Sequence, residues 1–336
     1  VFGGARKFVT GLDVGSESVK AVRLLHTGDS MKIAGLALTE IKYPSQIRGE
    51  GDPGARKARI DAIKSALRSS GTDVSRPCRV VTAVAGPGVS VKHVTFPKMS
   101  NPSLAESIGW EAKKHVPFGA SEFVLDFQPL ARDAADGADE MHVLLAAVEK
   151  RHMDAHVGLV CDAGVEPDAV DLAPLAMMNE VEAEGLLGDS SVASVEIGCC
   201  TLSMSIYKAG GLLLVRSVNV PPTMGGAPGA TKAREGEAGG EEPPDSRRAW
   251  QGFVLKEVQR SLAFYNTETG RHGIEKIYLG GGRALAADIT ERFKSALSIP
   301  TETLRPFDGV GSSIGIEAHK DQGPRFALAM SLARRR

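Results

Sequence analysis

GLDVGSESVKAVRL (Gly11–Leu24) and SVEIGCCTLSMSIY (Ser194–Tyr207) are two versions of one pattern. Each begins as an apolar strand, passes through acid–apolar–glycine, turns on small and hydroxyl residues, and returns as a second strand. The chemistry such a turn suits is phosphate binding. Glycine lets the backbone approach closely, turn N–H groups and hydroxyls donate to phosphate oxygens, and the acid orders magnesium and its waters. Asp13, Gly15, Ser16 and Ser18 fill these roles in the first copy, with Lys20 offering an ammonium to a β- or γ-phosphate. Glu196, Gly198 and Thr201 fill them in the second, which makes Asp13 and Glu196 the candidate magnesium ligands. One such hairpin alone is better explained by an ordinary β-turn. Two, each opening a large unit, point to a duplicated phosphate loop.

A third element sits late in the chain. IYLGGGRALAADI (Ile277–Ile289) places Gly280, Gly281 and Gly282 between a strand and a helix, where a nucleotide can lie against the backbone. The GxGxxG spacing and a distal ribose-binding acid are missing, so a dinucleotide site is not implied.

Between these landmarks the periodicity predicts further elements. Strands are expected at Lys7–Val14, Val19–Leu25 and Met31–Thr39, then a Gly/Pro/charge stretch at Arg48–Ala55 and a helix carrying Ile60, Ile63, Ala66 and Leu67 on one face. Arg79–Ala85 is a strand closed by Gly86–Pro87–Gly88. A small unit then reads as inserted: strand Val89–Phe96, a helix from Asn101–Pro102, strands Phe123–Leu130 and Met141–Val148 joined by the turn-rich RDAADGAD, and a helix Lys150–Asp162. After the second phosphate hairpin and a strand at Leu212–Asn219, Pro221–Arg248 is Pro, Gly, Glu and Ala with almost no large apolar residue, a composition that predicts disorder. Helices are expected at Trp250–Tyr265, Leu285–Leu297 and Arg325–Ala333, with a strand at Lys276–Leu279.

The 336 residues suit two units of ordinary size, and 42% hydrophobic with 24% charged residues suits a buried core. A net charge of −1 gives no field to draw the chain onto nucleic acid. No stretch approaches the ~20 apolar residues that span a bilayer, so no direct membrane insertion is expected. The N-terminal VFGGARKFVTGLDVG lacks the apolar core of a signal peptide. Four cysteines, two of them adjacent and none in CxxC spacing, suggest reduced thiols and a cytosolic location.

Paired phosphate loops with a late glycine-rich loop resemble the actin, sugar-kinase and chaperone ATPase superfamily. The middle of the chain is more specific. VTFPKMSNPSLAESIGWEAKKHVPFGASEFVLDFQPL (Val94–Leu130), VLLAAVEKRHMDAHVGLVCDAGVEPDAVDLAPLAM (Val143–Met177) and VLKEVQRSLAFYNTETGRHGIEKIYLGGGRALAADITERF (Val254–Phe293) resemble the PilM family of type IV pilus assembly proteins. The resemblance implies an α/β fold: two actin-like (ribonuclease H-like) domains around a nucleotide cleft, over residues 1–190 and 191–336. A small α+β subdomain at about 89–165 is inserted in the first, a disordered loop at about 221–248 lies in the second, and the helix 325–333 packs back on the first. It further implies a scaffold that takes ATP and Mg2+, cytoplasmic and peripheral to the inner membrane. Its partners would be the N-terminal peptide of a PilN-like inner-membrane protein and other pilus assembly proteins. The expected peptide pocket lies near Phe118, Phe123 and Leu125. Two departures from the family stand out: Glu196 where Asp is usual, with Cys199–Cys200 beside it, and a shortened segment after Met224–Gly225–Gly226. Neighbouring readings are a small-molecule kinase, an FtsA-like membrane-associated filament protein and a GspL-like secretion platform.

Other candidates have plainer explanations. His152 and His156 lie four apart on a predicted helix, a spacing that can hold zinc, but no HExxH glutamate or third ligand accompanies them, and a solvated helix face is expected. Cys199–Cys200 reads as small turn residues before a redox pair, and Asp126 and Asp171 as strand-end or turn residues before a sugar-kinase base. The arginine-rich last helix reads as a packed element before a membrane contact.

Overall fold

The computed structural model describes residues 7–28, 30–44, 52–74, 78–130, 139–208, 211–221, 244–269 and 273–335. Strand β1 (Lys7–Val14) pairs antiparallel with β2 (Ser18–Thr27), and β2 with β3 (Ser30–Glu40). On its other edge β1 takes β4 (Arg79–Val84) in parallel, and β4 takes β8 (Ala169–Leu172). The two-residue β14 (Gly311–Ser312) closes the far edge, giving the order β14-β3-β2-β1-β4-β8.

The duplication read in the hairpins extends to the whole second sheet. Strands β9 (Val192–Ile197), β10 (Thr201–Lys208) and β11 (Gly211–Asn219) form the antiparallel part. Strands β12 (Lys276–Gly280) and β13 (Thr301–Thr303) add in parallel, in the order β11-β10-β9-β12-β13. Strand for strand this matches β3-β2-β1-β4-β8. Parallel neighbours need crossovers. In the second sheet α5 (Pro244–Thr269) leads from β11 to β12, and α6 (Ile289–Leu297) from β12 to β13. In the first, α1 (Pro53–Ser69) leads from β3 to β4.

The connection from β4 to β8 carries the inserted unit: β5 (Val89–Pro97), α2 (Asn101–His115), β6 (Phe123–Pro129), β7 (Glu140–Glu149) and α3 (Lys150–Asp162). Its three strands form an antiparallel sheet in the order β5-β7-β6. Leu104, Ile108 and Ala112, one stripe of α2, bury against Phe96, Val143 and Leu145. Helix α3 returns to the first sheet, where Leu159 and Val160 join α1 residues Ile63, Ala66 and Leu67 over Leu12, Val19 and Val80.

Helix α7 (Gly323–Arg334) covers the opposite face of that sheet. It is apolar on more than one side, as a helix buried between layers must be. Phe326, Ala329, Met330 and Ala333 pack on Val22, Leu24 and Ile33, while Leu332 reaches Val9 and Val81. The helix comes so near β1 that a Cβ on Gly11 would lie 1.9 Å from the Ala329 carbonyl oxygen. His26 Nε2 meets the Ala333 carbonyl at 2.9 Å, and Arg334 forks onto Glu180 of α4 (Ala173–Ala183) at 3.0 and 3.3 Å.

Several elements differ from expectation. Strand β8 and helix α4 were not read from the sequence. Helix α5 begins at Pro244 and ends at Thr269, longer at both ends than Trp250–Tyr265, and so takes in residues 244–248 of the expected loop. The rest of that loop, 222–243, lies outside the described residues, as do the N-terminal 1–6, residues 45–51 and the hairpin turn 131–138. The expected helix Leu285–Leu297 is a 3-10 turn at Gly282–Leu285 followed by α6, because Asp288 adopts a left-handed φ of 64° and interrupts it. Among the described residues, no helix is long and apolar enough to cross a membrane.

Candidate functional site

The two hairpin turns have the same backbone bonding. Gly15 N–H donates to the Ser18 carbonyl at 3.2 Å, and Gly198 N–H to the Thr201 carbonyl at 2.9 Å. A three-residue turn fixes the register behind it, so Asp13 stands directly across from Lys20. Their side chains form an ion pair at 3.1 Å, with both largely buried. The ammonium hangs over the turn: a Cβ on Gly15 would lie 3.2 Å from Lys20 Nζ. In the second turn the Thr201 hydroxyl takes the corresponding place, 3.3 Å from where a Cβ of Gly198 would be.

The structure brings the two turns together. Cys200 receives a hydrogen bond from Ser16 and feels the charge of Glu17, both in the first turn. Glu196 feels the charges of both Asp13 and Lys20. Its carboxyl is pushed up to about 8, first by burial, then by the Asp13 carboxylate, with Lys20 opposing. Glu196 Oε1 is buried and makes no hydrogen bond.

The glycine-rich turn closes the third side. Gly280 stands beside Glu196 in the parallel register of β12 with β9. Gly281 has φ 87°, sends its N–H to the Pro324 carbonyl at 2.9 Å, and a Cβ there would fall 2.7 Å from the Ile197 carbonyl oxygen. The two hairpin turns, with Asp13, Lys20 and Glu196, and the glycine-rich turn at Gly280 and Gly281 are thus brought near one another.

The donor set fits a nucleotide with a divalent cation. Two carboxyl groups stand by a single ammonium, and one oxygen of Glu196 is left buried without a partner, a place that a divalent cation would fill as it displaces the Glu196 proton. Among the described residues no three acidic, histidine or cysteine side chains gather as a metal cage. Mg2+ is commonly held in this way, by one or two carboxylates together with phosphates and water.

Residues outside the motifs surround the hairpin turns. Tyr43 donates its hydroxyl to the Ser16 carbonyl at 2.6 Å, and burial pushes it up to about 12. Arg283, next to the triple glycine, lies 4.8 Å over the Trp250 ring and 4.0 Å from Cys199 Sγ. Its place directly after Gly282 was the one available signal. The histidines need correction, because they do not lie on a solvated face. His156 Nε2 is 2.9 Å from the Thr82 hydroxyl, which donates to the Leu12 carbonyl. Burial, with Arg59 and His152 adding, holds His156 down to about 4, so it is neutral at ordinary pH. His152 is lowered too, by burial first, and packs under Gly88. Asp171 accepts from Arg335 at 2.7 Å, and Asp126 accepts from the Phe127 N–H.

On the inserted unit Phe118 and Phe123 meet with ring centroids 6.2 Å apart. Phe123 also lines a surface pocket of about 300 Å³ with Lys113, Ala120, Ser121, Glu122 and Lys150. Leu125 packs on the core beneath α2 and is not among the residues lining that pocket. Strand β6 is an edge of its sheet.

A sequence model of the family described as type IV pilus assembly protein PilM matches residues 11–226 and 245–336. A solved structure titled as a PilM-PilN type IV pilus biogenesis complex aligns at a TM-score of 0.78 and 24% identity, over 97% of this chain and 98% of that one. The ethanolamine utilization protein EutJ of Carboxydothermus hydrogenoformans aligns at 0.48 and 12%, over 99% and 91%. A Bacteroides thetaiotaomicron protein with an actin-like ATPase fold and unknown function aligns at 0.47 and 11%, over 94% and 95%.

Proposed function

The chain belongs to the PilM family of type IV pilus assembly proteins, and from that premise we propose that it is an ATP-binding scaffold that presents a peptide groove to a PilN-like partner. The observation that carries the nucleotide half is the unpartnered Glu196 oxygen beside Asp13, between two phosphate turns of matching geometry. Asp13 and Glu196 would hold Mg2+, which screens phosphate charge when bound. Lys20, Ser16, Ser18 and Thr201 would donate to phosphate oxygens, and Gly280–Gly282 would let the nucleoside lie on the backbone. Domain I would take residues 1–190, with the subdomain at about 89–165, and domain II residues 191–336.

The partner half rests on the family and on the structural relative whose title names PilN. An extended N-terminal peptide could add along the β6 edge, with Phe118 and Phe123 offering a side-chain pocket. The protein would then work in the cytoplasm, held to the inner membrane through its partner. Nucleotide would bias the groove by binding one cleft geometry better than another.

Two measurements test this. Mg-ATP at a hundredfold excess over its dissociation constant stabilises a folded protein by about 2.7 kcal/mol. It should raise the melting temperature, and Asp13→Ala or Lys20→Ala should abolish the rise. A synthetic N-terminal peptide of the cognate PilN-like protein should bind with micromolar affinity, about −8 kcal/mol. Phe123→Asp, checked for folding by circular dichroism, should weaken it while sparing the nucleotide shift. Phosphate transfer to a sugar or carboxylate without peptide binding would favour a small-molecule kinase instead.

A further inference from the structure

Arg59 sits on α1, half-buried, with Nε sealed from solvent and no hydrogen-bond acceptor. No carboxylate among the described residues forms an ion pair with it. Among the groups its charge reaches are the Tyr43 phenol and the imidazoles of His152 and His156, all neutral at ordinary pH. Of the nearby acids, Glu149 is paired with Arg151 at 3.2 Å, and Glu17, which also acts on Tyr43, has a partner of its own. A half-buried guanidinium set among these neutral groups, with its Nε sealed and unbonded, lacks the anion that normally compensates such a cation.

Its position says which anion could supply that charge. Tyr43, within reach of Arg59, ties itself to the first phosphate turn through the Ser16 carbonyl. His152 packs under Gly88, and on the same short turn a Cβ at Gly86 would lie 3.4 Å from Thr201 Cγ2 of the second phosphate turn. Through Tyr43 and His152, Arg59 thus stands near both hairpin turns. A triphosphate lying across both turns would carry its terminal group toward this cation.

We propose that Arg59, flanked by His152, is a seat for the terminal phosphate of a bound nucleoside triphosphate, so that the cleft tells triphosphate from diphosphate. A planar guanidinium suits this task because it can give two parallel N–H bonds to one phosphate. The proposal rests on the nucleotide reading of the cleft. It goes beyond that reading by naming what selects ATP over ADP.

The test is calorimetric titration of the full chain with Mg-ATP and with Mg-ADP, for wild type, Arg59→Gln and Arg59→Lys. Wild type should bind Mg-ATP more tightly. Arg59→Gln should keep its Mg-ADP affinity while losing about tenfold or more for Mg-ATP, and Arg59→Lys should fall between, since it keeps the charge but not the fork. Circular dichroism shows that each variant is folded. If Arg59→Gln weakens both nucleotides equally, or leaves the ATP-to-ADP ratio unchanged, the seat is wrong while the nucleotide site stands. If wild type binds neither, the nucleotide reading falls, and the seat with it.

Discussion

The carboxylate of Glu196 rests on the α-carbon of Gly280, so closely that a Cβ there would be 1.9 Å from Oε1 and 2.8 Å from Cδ. One residue on, the obstacle at Gly281 is the backbone of Ile197 rather than the end of a side chain. The two neighbours should therefore respond differently to the same methyl group.

Gly280→Ala can be accommodated by swinging the Glu196 side chain aside, so its fold should lose less than about 1 kcal/mol. The displaced carboxylate should nonetheless reduce stabilisation by Mg-ATP. Gly281→Ala has no such escape and also strains a positive φ, so about 2–3 kcal/mol should be lost. Urea melts of the two variants give the order. Equal losses would mean that Glu196 is held as rigidly as the backbone.

Glu180 gives a stability signal that depends on pH. Burial pushes its carboxyl up to about 7, with Arg334 opposing. A carboxyl with a folded pKa above its unfolded value binds its proton more tightly when folded, so stability falls as pH rises from about 4.5 to 7 and then levels off. The gap is worth up to about 3 kcal/mol. Subtracting the Glu180→Gln curve from wild type, by urea melts across that range, should leave this slope. A flat difference would show that Arg334 keeps Glu180 ionised throughout.

Cys200 should be the thiol that a phosphate-site ligand protects. Its pKa is lowered, first by its hydrogen bond with Cys199 and then by Ser16, against the effect of burial. Its alkylation rate should reach half of its plateau below the ~8.5 of an ordinary thiol. Peptide mapping by mass spectrometry should show Mg-ATP slowing that site and sparing the exposed Cys161. Equal protection of both would point to a general rigidification.

His93 of β5 meets the Leu212 carbonyl of β11 at 2.5 Å, linking the inserted unit to the second sheet. If nucleotide biases the peptide groove through this contact, the ratio of peptide affinities with and without Mg-ATP should move toward one in His93→Ala. Linkage requires the peptide's effect on nucleotide affinity to shrink by the same factor. An unchanged ratio would route the coupling elsewhere.

What the sequence could reveal follows from distance along the chain. Asp13 and Lys20 face each other because a short turn dictates it, and α3 runs from Lys150 to Asp162 as its periodicity predicts. Helix α4 hid because a glutamate sits in the middle of its buried stripe, and the arginine that makes this tolerable is 154 residues away. Arg59, Tyr43 and His152 come from three separate segments, and only packing makes them neighbours. The inward turn of His156 was likewise invisible, since its partner Thr82 is 74 residues distant.

Helix α7 also sets the order of events during synthesis. The apolar face formed by Val22, Leu24 and Ile33 is made long before its cover, which is Phe326, Ala329, Met330 and Ala333. At about 5–20 residues per second, the roughly 300 residues between them take about 15–60 s to add. For that interval one side of the first sheet stays bare on the nascent chain. A holding chaperone, or a collapsed intermediate that closes late, would have to shield it.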